Sequence, residues 1–160
     1  MSNPVNPNEG QRLAKLARAV RESTLKRLLQ VPLGKENWCP LPDTMTFADI
    51  AHHIGKADQW LFEKLTNAAL PKMVGKSGEV EHLSPEGFQY LVTRLRESGE
   101  QRTELLSTLT DSFLDSPMVD DRFGDVTVWW VIVRGNLDHE THHRGQLAVY
   151  LRMLRHDVGS

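Results

Sequence analysis

Hydrophobic residues recur at helical spacing in four stretches of the chain, and segments rich in polar residues and proline separate them. In the first stretch, from Glu9 to Val31, leucine, alanine and valine return every three or four residues until Pro32 interrupts the pattern. The second stretch starts at Thr46, which can cap a helix together with Asp49 three residues later, and it continues to about Ala68. Each stretch predicts an amphipathic helix.

Two further helices are predicted in the second half of the chain. The third covers residues 84–109, where Ser84 is a suitable N-cap and is followed by proline, although Gly99 weakens the pattern. A loop is predicted between Asp111 and Asp125, and a fourth helix from about Thr127 to about His156. No segment shows the strong alternation of a half-buried strand. The sequence therefore predicts an all-α fold, a four-helix bundle.

Composition narrows the classes of protein that fit. The 160 residues match the size of a single domain over residues 1–160, with 39% hydrophobic and 25% charged residues. The net charge is −2 and basic residues are scattered, which argues against nucleic acid as a partner. No apolar run reaches the roughly 18 residues of a membrane helix, and no secretion signal follows Met1. The single cysteine, Cys39, excludes an intramolecular disulfide, so we expect a cytoplasmic protein without a membrane partner.

The chemistry of the chain is concentrated in the fourth predicted helix, at the string His-Glu-Thr-His-His over residues 139–143. His139 and His143 are four residues apart and therefore lie one above the other on one helical face. His142 is rotated about 100° away from them and is the poorer ligand candidate. The two aligned histidines share an otherwise mostly apolar stripe, which we expect to face the bundle interior: Ile132, Asn136, His139, His143, Leu147, Tyr150 and Leu154.

The second helix carries a tandem pair of histidines, and their helical faces distinguish them. His53 lies in line with Ile50, Ala57 and Trp60, which predicts an interior position. His52 shares its face with Asp49, Lys56, Gln59 and Glu63, a charged face expected in solvent. His53 together with the histidine pair of the fourth helix supplies three neutral nitrogen ligands, the number found in open catalytic zinc sites; nickel or iron could accept the same set.

Simpler interpretations exist for the same residues. Interior histidines are commonly hydrogen-bonded core residues without a metal, so the three could be held by hydrogen bonds alone. The basic residues of the first helix are expected to form its solvated face: Lys15, Arg18, Arg21 and Arg27. Glu140, between the two aligned histidines, is interpreted as a surface residue.

The string also fits the H-E-x-x-H pattern of zinc peptidases, in which the glutamate is a general base and a third ligand follows along the chain. After His143 the only histidine or acidic residues are His156 and Asp157, and thirteen helical residues would put His156 about 20 Å from His143. The extended pattern fails as well, because Gln146 and Val149 stand where glycine and histidine are required. A zinc peptidase is therefore only a distant third hypothesis.

Two segments carry a family resemblance. The run Asn136–Leu147, followed by Tyr150–Arg152, resembles the C-terminal signature of the DinB-like/YfiT-like superfamily: a histidine, three residues, then His-Arg-Gly-Gln. The segment Phe47–Ile54 is similar to the second-helix segment of that superfamily, which carries one histidine before an aliphatic residue. Because His52 and His53 are adjacent, this second motif alone leaves the register open by one residue. The resemblance covers most of the chain.

The resemblance implies a four-helix bundle, commonly a homodimer, that holds a divalent metal through three histidines, here His53, His139 and His143. Relatives include S-transferases that use low-molecular-weight thiols such as bacillithiol, and the mycothiol-dependent maleylpyruvate isomerases are similar. We therefore expect a thiol S-transferase that acts on a small thiol and a small electrophile, with zinc or nickel, or else iron or manganese, as its metal. The alternative is a noncatalytic, metal-binding, dimeric stress-response protein, which a fourth ligand such as His52 or Glu63 would favour.

Overall fold

The computed structural model describes residues 6–157 and, for His156 and Asp157, only the backbone. Four long helical stretches dominate it, as predicted, and the all-α fold is confirmed. The last stretch is continuous but contains one π-helical turn. The helices are α1 (Glu9–Leu28), α2 (Phe47–Lys64), α3 (Pro85–Thr108), the short α4 (Asp111–Leu114), α5 (Val128–Ile132), the π-turn (Val133–Leu137) and α6 (Asp138–Asp157).

The predicted helix starts are confirmed, whereas two predicted ends lie too far along the chain. Thr46 and Asp49 form a capping box at the start of α2, and Ser84 caps α3. The second helix ends at Lys64 instead of Ala68, and the ammonium group of Lys64 binds the carbonyl oxygen of Ala68 in the turn that follows, at 2.6 Å. The first helix likewise ends three residues early and is followed by a turn.

The segment predicted as a loop between residues 111 and 125 is more ordered than expected. It contains a short helix, α4 (Asp111–Leu114), and the first strand of an antiparallel hairpin formed by β1 (Pro117–Asp120) and β2 (Gly124–Thr127). The sequence shows no strand pattern here, since strands of four residues are too short to show a clear alternation. Gly124 has φ +73°, a conformation suited to glycine at the hairpin turn.

The helices form a bundle in which α1 and α2 are diagonal neighbours. α1 packs antiparallel against α3. Gly10, at the start of α1, lies against the carbonyl groups of Leu106 and Leu109 at the end of α3, whereas Arg21, later in α1, bonds to Leu95, earlier in α3. α2 packs antiparallel against α6, whereas α1 and α6 run parallel.

α2 and α3 run parallel, because Gly55 faces Leu95 and Asp58, three residues on, bonds to Ser98 and Arg102. Two consecutive parallel helices need a long return connection along the bundle. Residues 65–84 supply it, and this crossover segment passes over the face where α2 meets α6.

The apolar core is divided into two clusters. One includes Leu28, Phe47, Ile54, Phe88, Leu95 and Leu147, and the other includes Leu13, Leu61, Leu106, Leu114, Val131 and Ile132. A layer of buried polar and charged side chains separates them: Arg21, Asp58, Arg102, Asn136 and Glu140.

Within residues 6–157, none of the helices combines the length and the apolar character that crossing a bilayer would require.

Candidate metal centre

The structure brings His53, His139 and His143 together between α2 and α6. One ring nitrogen from each lies within 4.8 Å of the other two. Nε2 of His139 is 2.8 Å from Nε2 of His53 and 3.2 Å from Nε2 of His143. His53 and His143 are buried and His139 is partly exposed. The same atom of each imidazole thus points to one spot.

The helices place these rings by periodicity and by one irregular turn. His139 and His143 follow each other after one turn of α6, as their spacing predicted. In the π-turn just before them, the N–H of Asp138 donates to the carbonyl of Val133, five residues back. Asn136 within this turn donates to the backbone carbonyl of Ala57 in α2 at 3.0 Å. This bond ties α6 to α2 directly beside the histidines. π-Turns of this kind are frequent at functional sites.

Burial keeps all three imidazoles neutral near pH 7. Desolvation first, and then the neighbouring His143, lower the pKa of His53 to about 4 and that of His139 to about 3. Desolvation also lowers the pKa of His143, against the opposing effect of a hydrogen bond to Gln146. Neutral imidazoles carry the free lone pair that a metal needs, so protons compete weakly for these nitrogens.

Gln146 fixes the tautomer of His143. Nδ1 of His143 lies 2.7 Å from the amide oxygen Oε1 of Gln146, which only accepts hydrogen bonds. Nδ1 therefore carries the proton, and the lone pair of His143 is on Nε2, directed at His139. The glutamine of the His-Arg-Gly-Gln string is thus a positioning residue for the histidine that opens it.

The donor set fits a divalent metal. Two nitrogens on a tetrahedral zinc ion lie about 3.3 Å apart for Zn–N bonds of about 2.05 Å, close to the 3.2 Å between His139 and His143. The shorter His53–His139 distance is that of a hydrogen bond. A single bridging proton cannot satisfy three converging nitrogens, whereas a cation can. Nδ1 of His53 and Nδ1 of His139 have no hydrogen-bond partner among the described residues.

The neighbouring histidines and acids that were weighed as ligands lie outside this group. His142 is exposed, with its ring centroid 5.1 Å from that of His143. His52 is partly exposed, Glu63 is exposed, and neither has an atom in the group. Asp49, expected on the solvated face of α2, is instead 1% exposed. Its carboxylate accepts the N–H groups of Thr46, Gly78 and Val80.

These bonds of Asp49 hold the crossover segment over the metal centre. Between its anchors at Lys72, whose N–H bonds to Asp121, and at Gly78, the segment passes against His53 at Gly75. A Cβ atom at Gly75 would lie 2.6 Å from Cε1 of His53, so only glycine allows this approach.

The charged layer corrects two expectations from the sequence. Arg21, predicted in solvent, is 3% exposed, and Glu140, predicted at the surface, is 1% exposed. Nε of Arg21 donates to Glu140 at 2.8 Å, and Nη1 of Arg102 donates to Glu140 at 2.7 Å and to Asp58 at 3.1 Å. The charges of the two arginines and the two carboxylates cancel, and this pairing offsets the free-energy cost of burying them together.

Glu140 is committed to this layer. Burial alone would raise its pKa, but Arg21 and Arg102 outweigh that effect and hold the pKa at about 2. Both carboxylate oxygens accept bonds from arginine. A peptidase glutamate must be free to take a proton from water, so this environment argues against the peptidase interpretation.

The sequence did contain a signal for the charged layer. Arg21 lies between Ala17 and Leu25 at helical spacing, and Asp58 lies between Ile54 and Leu61 in the same manner. Arg102 follows Leu95 and Gly99 on one face. Balanced charges on otherwise apolar stripes point to a buried network. Gly99, which weakened the helix prediction, is explained by the same layer: a Cβ there would lie 2.7 Å from Cγ of Arg21.

A cavity of about 760 Å³ lies apart from the metal centre, between the end of α2 and the hairpin. Its lining includes Lys64, Leu70, Pro117 and Met118 and none of the three histidines. Lys64 is satisfied there by backbone carbonyl groups and by Asp120 at 3.6 Å.

Comparison with known proteins agrees with this architecture. The sequence model of the DinB superfamily matches residues 16–147, which include all three histidines. The crystal structure of YjoA, a DinB-like protein from Bacillus subtilis, superposes with a TM-score of 0.66 at 18% sequence identity, covering 89% of this chain and 91% of that chain. At this identity the similarity concerns the fold. A comparison with curated proteins found no match.

Proposed function

This chain belongs to the DinB superfamily, and from its three converging histidines we propose that it binds a divalent metal through His53, His139 and His143 and transfers a small thiol to an electrophile. The observation that carries the proposal is the group of three neutral Nε2 atoms without a fourth protein ligand among the described residues. Three ligands leave a coordination position for a substrate, as in catalytic zinc sites.

The protein's own residues have three tasks in this reaction. The histidines present their lone pairs, Gln146 keeps His143 in the required tautomer, and the charged layer with Asn136 fixes α6 against α2. When bound, a divalent cation lowers the pKa of a coordinated thiol so that thiolate forms near neutral pH. The thiol proton passes to solvent, the sulfur forms a bond to the electrophilic carbon, and the leaving group departs with its electron pair. No protein nucleophile is required.

Metal stoichiometry is the first test. Protein purified without a nickel column is reconstituted with zinc, nickel or manganese and its metal content is measured. We expect about one metal ion per chain in the parent and loss of binding in His53→Ala, His139→Ala and His143→Ala. His52→Ala and His142→Ala are matched controls, each one residue from a ligand, and should bind like the parent. A parent without stoichiometric metal would end the proposal, and loss of binding only in His52→Ala would move the second-helix ligand by one residue.

Catalysis is tested on the loaded protein. Monochlorobimane and a panel of low-molecular-weight thiols should give conjugate faster than the uncatalysed reaction, with release of chloride, and the three histidine variants should lose this rate. Stoichiometric metal without conjugation of any thiol would favour the alternative, a noncatalytic metal-binding protein. Light scattering in the same preparations shows whether the chain is a homodimer, as its family resemblance suggests.

A further inference from the structure

Arg122, in the turn of the hairpin, carries a guanidinium group held in a fixed plane. Its Cζ atom lies 4.9 Å from the ring centroid of Trp60 and 4.9 Å from that of Phe123. Nε bonds to Oδ1 of Asp120 at 3.3 Å, and the same oxygen accepts the backbone N–H of Arg122. Two aromatic rings and one carboxylate therefore orient the group, and the carboxylate binds only its Nε side.

One terminal nitrogen of the guanidinium, Nη2, has no partner among residues 6–157. Nη2 of Arg122 is shielded from solvent and bonds to no acceptor among the described residues. It lies against Gly135, where a Cβ atom would be 3.0 Å from it. The side chain as a whole is 23% exposed, so a small molecule can approach the guanidinium group from its exposed part, beside the buried Nη2. A buried donor of a charged group without an acceptor is costly, and such a group in a native structure calls for an explanation.

This unpaired donor is close to the metal centre. Gly135 precedes His139 by four residues, about 6 Å at 1.5 Å per residue along the helix. Trp60, beneath the guanidinium, lies on the same face of α2 as His53, two turns further on, with the small Ala57 between them.

We propose that Arg122 is a specificity-determining residue that binds the carboxylate of the thiol substrate, with the sulfur at the three histidines. The inference rests on the proposed function and names its substrate class: a small thiol with a carboxylate a few bonds from sulfur. A guanidinium binds a carboxylate through charge-assisted hydrogen bonds from its terminal N–H groups, and the pair is most favourable where solvent is largely excluded. Trp60 and Phe123 keep the group in position when no ligand is present.

Two thiols of similar size test this assignment: 3-mercaptopropionate carries a carboxylate, and 2-mercaptoethanol does not. Their affinities for zinc-loaded protein are measured by calorimetry at constant ionic strength. We expect the parent to bind 3-mercaptopropionate roughly 10- to 100-fold more tightly, as for a charge-assisted hydrogen bond. Arg122→Gln should abolish that preference and leave the affinities for zinc and 2-mercaptoethanol unchanged. Arg134→Gln, at a neighbouring exposed arginine, should keep the preference.

The outcomes separate this inference from the proposed function. If both thiols bind but the parent shows no preference, or Arg122→Gln keeps it, Arg122 has no such role while the metal site stands. Equal weakening of both thiols by Arg122→Gln would show a structural role only and also overturn the inference. If Arg122→Gln does not fold, Arg122→Lys replaces it, and a preference undiminished in that variant overturns the assignment because lysine lacks the planar fork.

A metal-free arm covers failure of the metal site itself. Trp60 lies under the guanidinium, so 3-mercaptopropionate and propionate should both quench tryptophan fluorescence in zinc-free parent and not in Arg122→Gln. Saturable quenching would keep Arg122 as an anion-binding residue even if zinc does not bind. Quenching that is equal in parent and variant would overturn it. Quenching by propionate alone would assign the site to free carboxylates instead of carboxylate-bearing thiols, and so contradict the proposal.

Discussion

Nε of Arg21 donates a hydrogen bond of 2.8 Å to the carboxylate of Glu140, across 119 residues of sequence and inside the bundle. The bond joins α1 to α6 at Glu140, which lies between His139 and His143 in the sequence. Arg102 and Asp58 complete the layer from α3 and α2, so all four long helices meet there. The metal centre therefore lies next to this buried charged layer, whose bonds hold α2 and α6, the helices that carry the three histidines, in place.

Replacing Glu140 by glutamine should destabilise the protein without removing the metal. The change leaves two buried arginines with one carboxylate between them, and breaking a buried ion pair on one side costs about 3 kcal/mol of unfolding free energy. Urea denaturation measures this loss. Glu97→Gln, at an exposed partner of Arg94, is the control and should change stability by less than about 0.5 kcal/mol.

The same Glu140→Gln variant, loaded with zinc, should retain about one ion per chain. Loss of zinc with unchanged stability would contradict the structural role of the carboxylate and return Glu140 to the metal centre.

Gln146 should control metal affinity through the tautomer of His143. Gln146→Leu removes the acceptor of the Nδ1 proton, and loss of such a partner typically lowers metal affinity roughly 10- to 100-fold. Gln146→Glu keeps an acceptor oxygen at the same place and should bind zinc at least as well as the parent. Competition with a chromophoric chelator gives both affinities. Equal affinities in the parent and Gln146→Leu would show that the ring is held by packing alone.

Asp49 should make stability depend on pH in the acid range. Burial alone would raise its pKa, but hydrogen bonds from the backbone N–H groups of Thr46, Val80 and Gly78 outweigh it and hold the pKa below its ordinary value. A carboxyl group with a lowered pKa in the folded state stabilises the fold above its unfolded pKa of about 3.9, and this contribution is lost as the pH falls through the folded value.

The test compares the parent with Asp49→Asn by urea denaturation between pH 7 and pH 3. The variant loses at least one acceptor, so we expect it to be less stable by about 2 kcal/mol at neutral pH, with the gap narrowing below about pH 4. Asp43→Asn, at an exposed aspartate of the preceding loop, should follow the parent at every pH. A gap that is constant from pH 7 to pH 3 would mean that the charge of Asp49 contributes nothing.

Gly75 should be required for the crossover segment to cover the metal centre. In Gly75→Ala the new methyl group would meet Cε1 of His53 and Cε of Met45, each at 2.6 Å. We expect the segment to lift away, with faster proteolysis between residues 69 and 83 and zinc affinity reduced roughly tenfold as the His53 ring shifts. Gly145→Ala is the control, since no neighbouring atom of the described residues lies within 4 Å of a Cβ at that exposed position of α6.

That control should be more stable than the parent by about 0.5–1 kcal/mol, because alanine is favoured over glycine within a helix. Unchanged proteolysis and zinc binding in Gly75→Ala would show that the segment tolerates a side chain at this point.

Local sequence determined the elements and the helical faces of this protein. Periodic apolar residues and capping residues such as Thr46 and Ser84 placed the helices, since both signals act within a few residues. The same periodicity put His139, His143 and His53 on interior faces, and the structure brings them together. The histidine string and its Arg-Gly-Gln extension indicated the family, which the match over residues 16–147 confirms.

Tertiary structure alone decided which distant side chains meet. Arg21 and Glu140 were predicted to lie in solvent. A charged residue on an apolar stripe can be buried only if residues of opposite charge, far away in sequence, pack against it, and the sequence does not show this packing. The π-turn, the hairpin, the approach of Gly75 to His53 and the unpaired donor of Arg122 likewise depend on contacts between separate elements. Helical periodicity fixes the direction of a side chain from its own helix; its partner depends on how the helices pack.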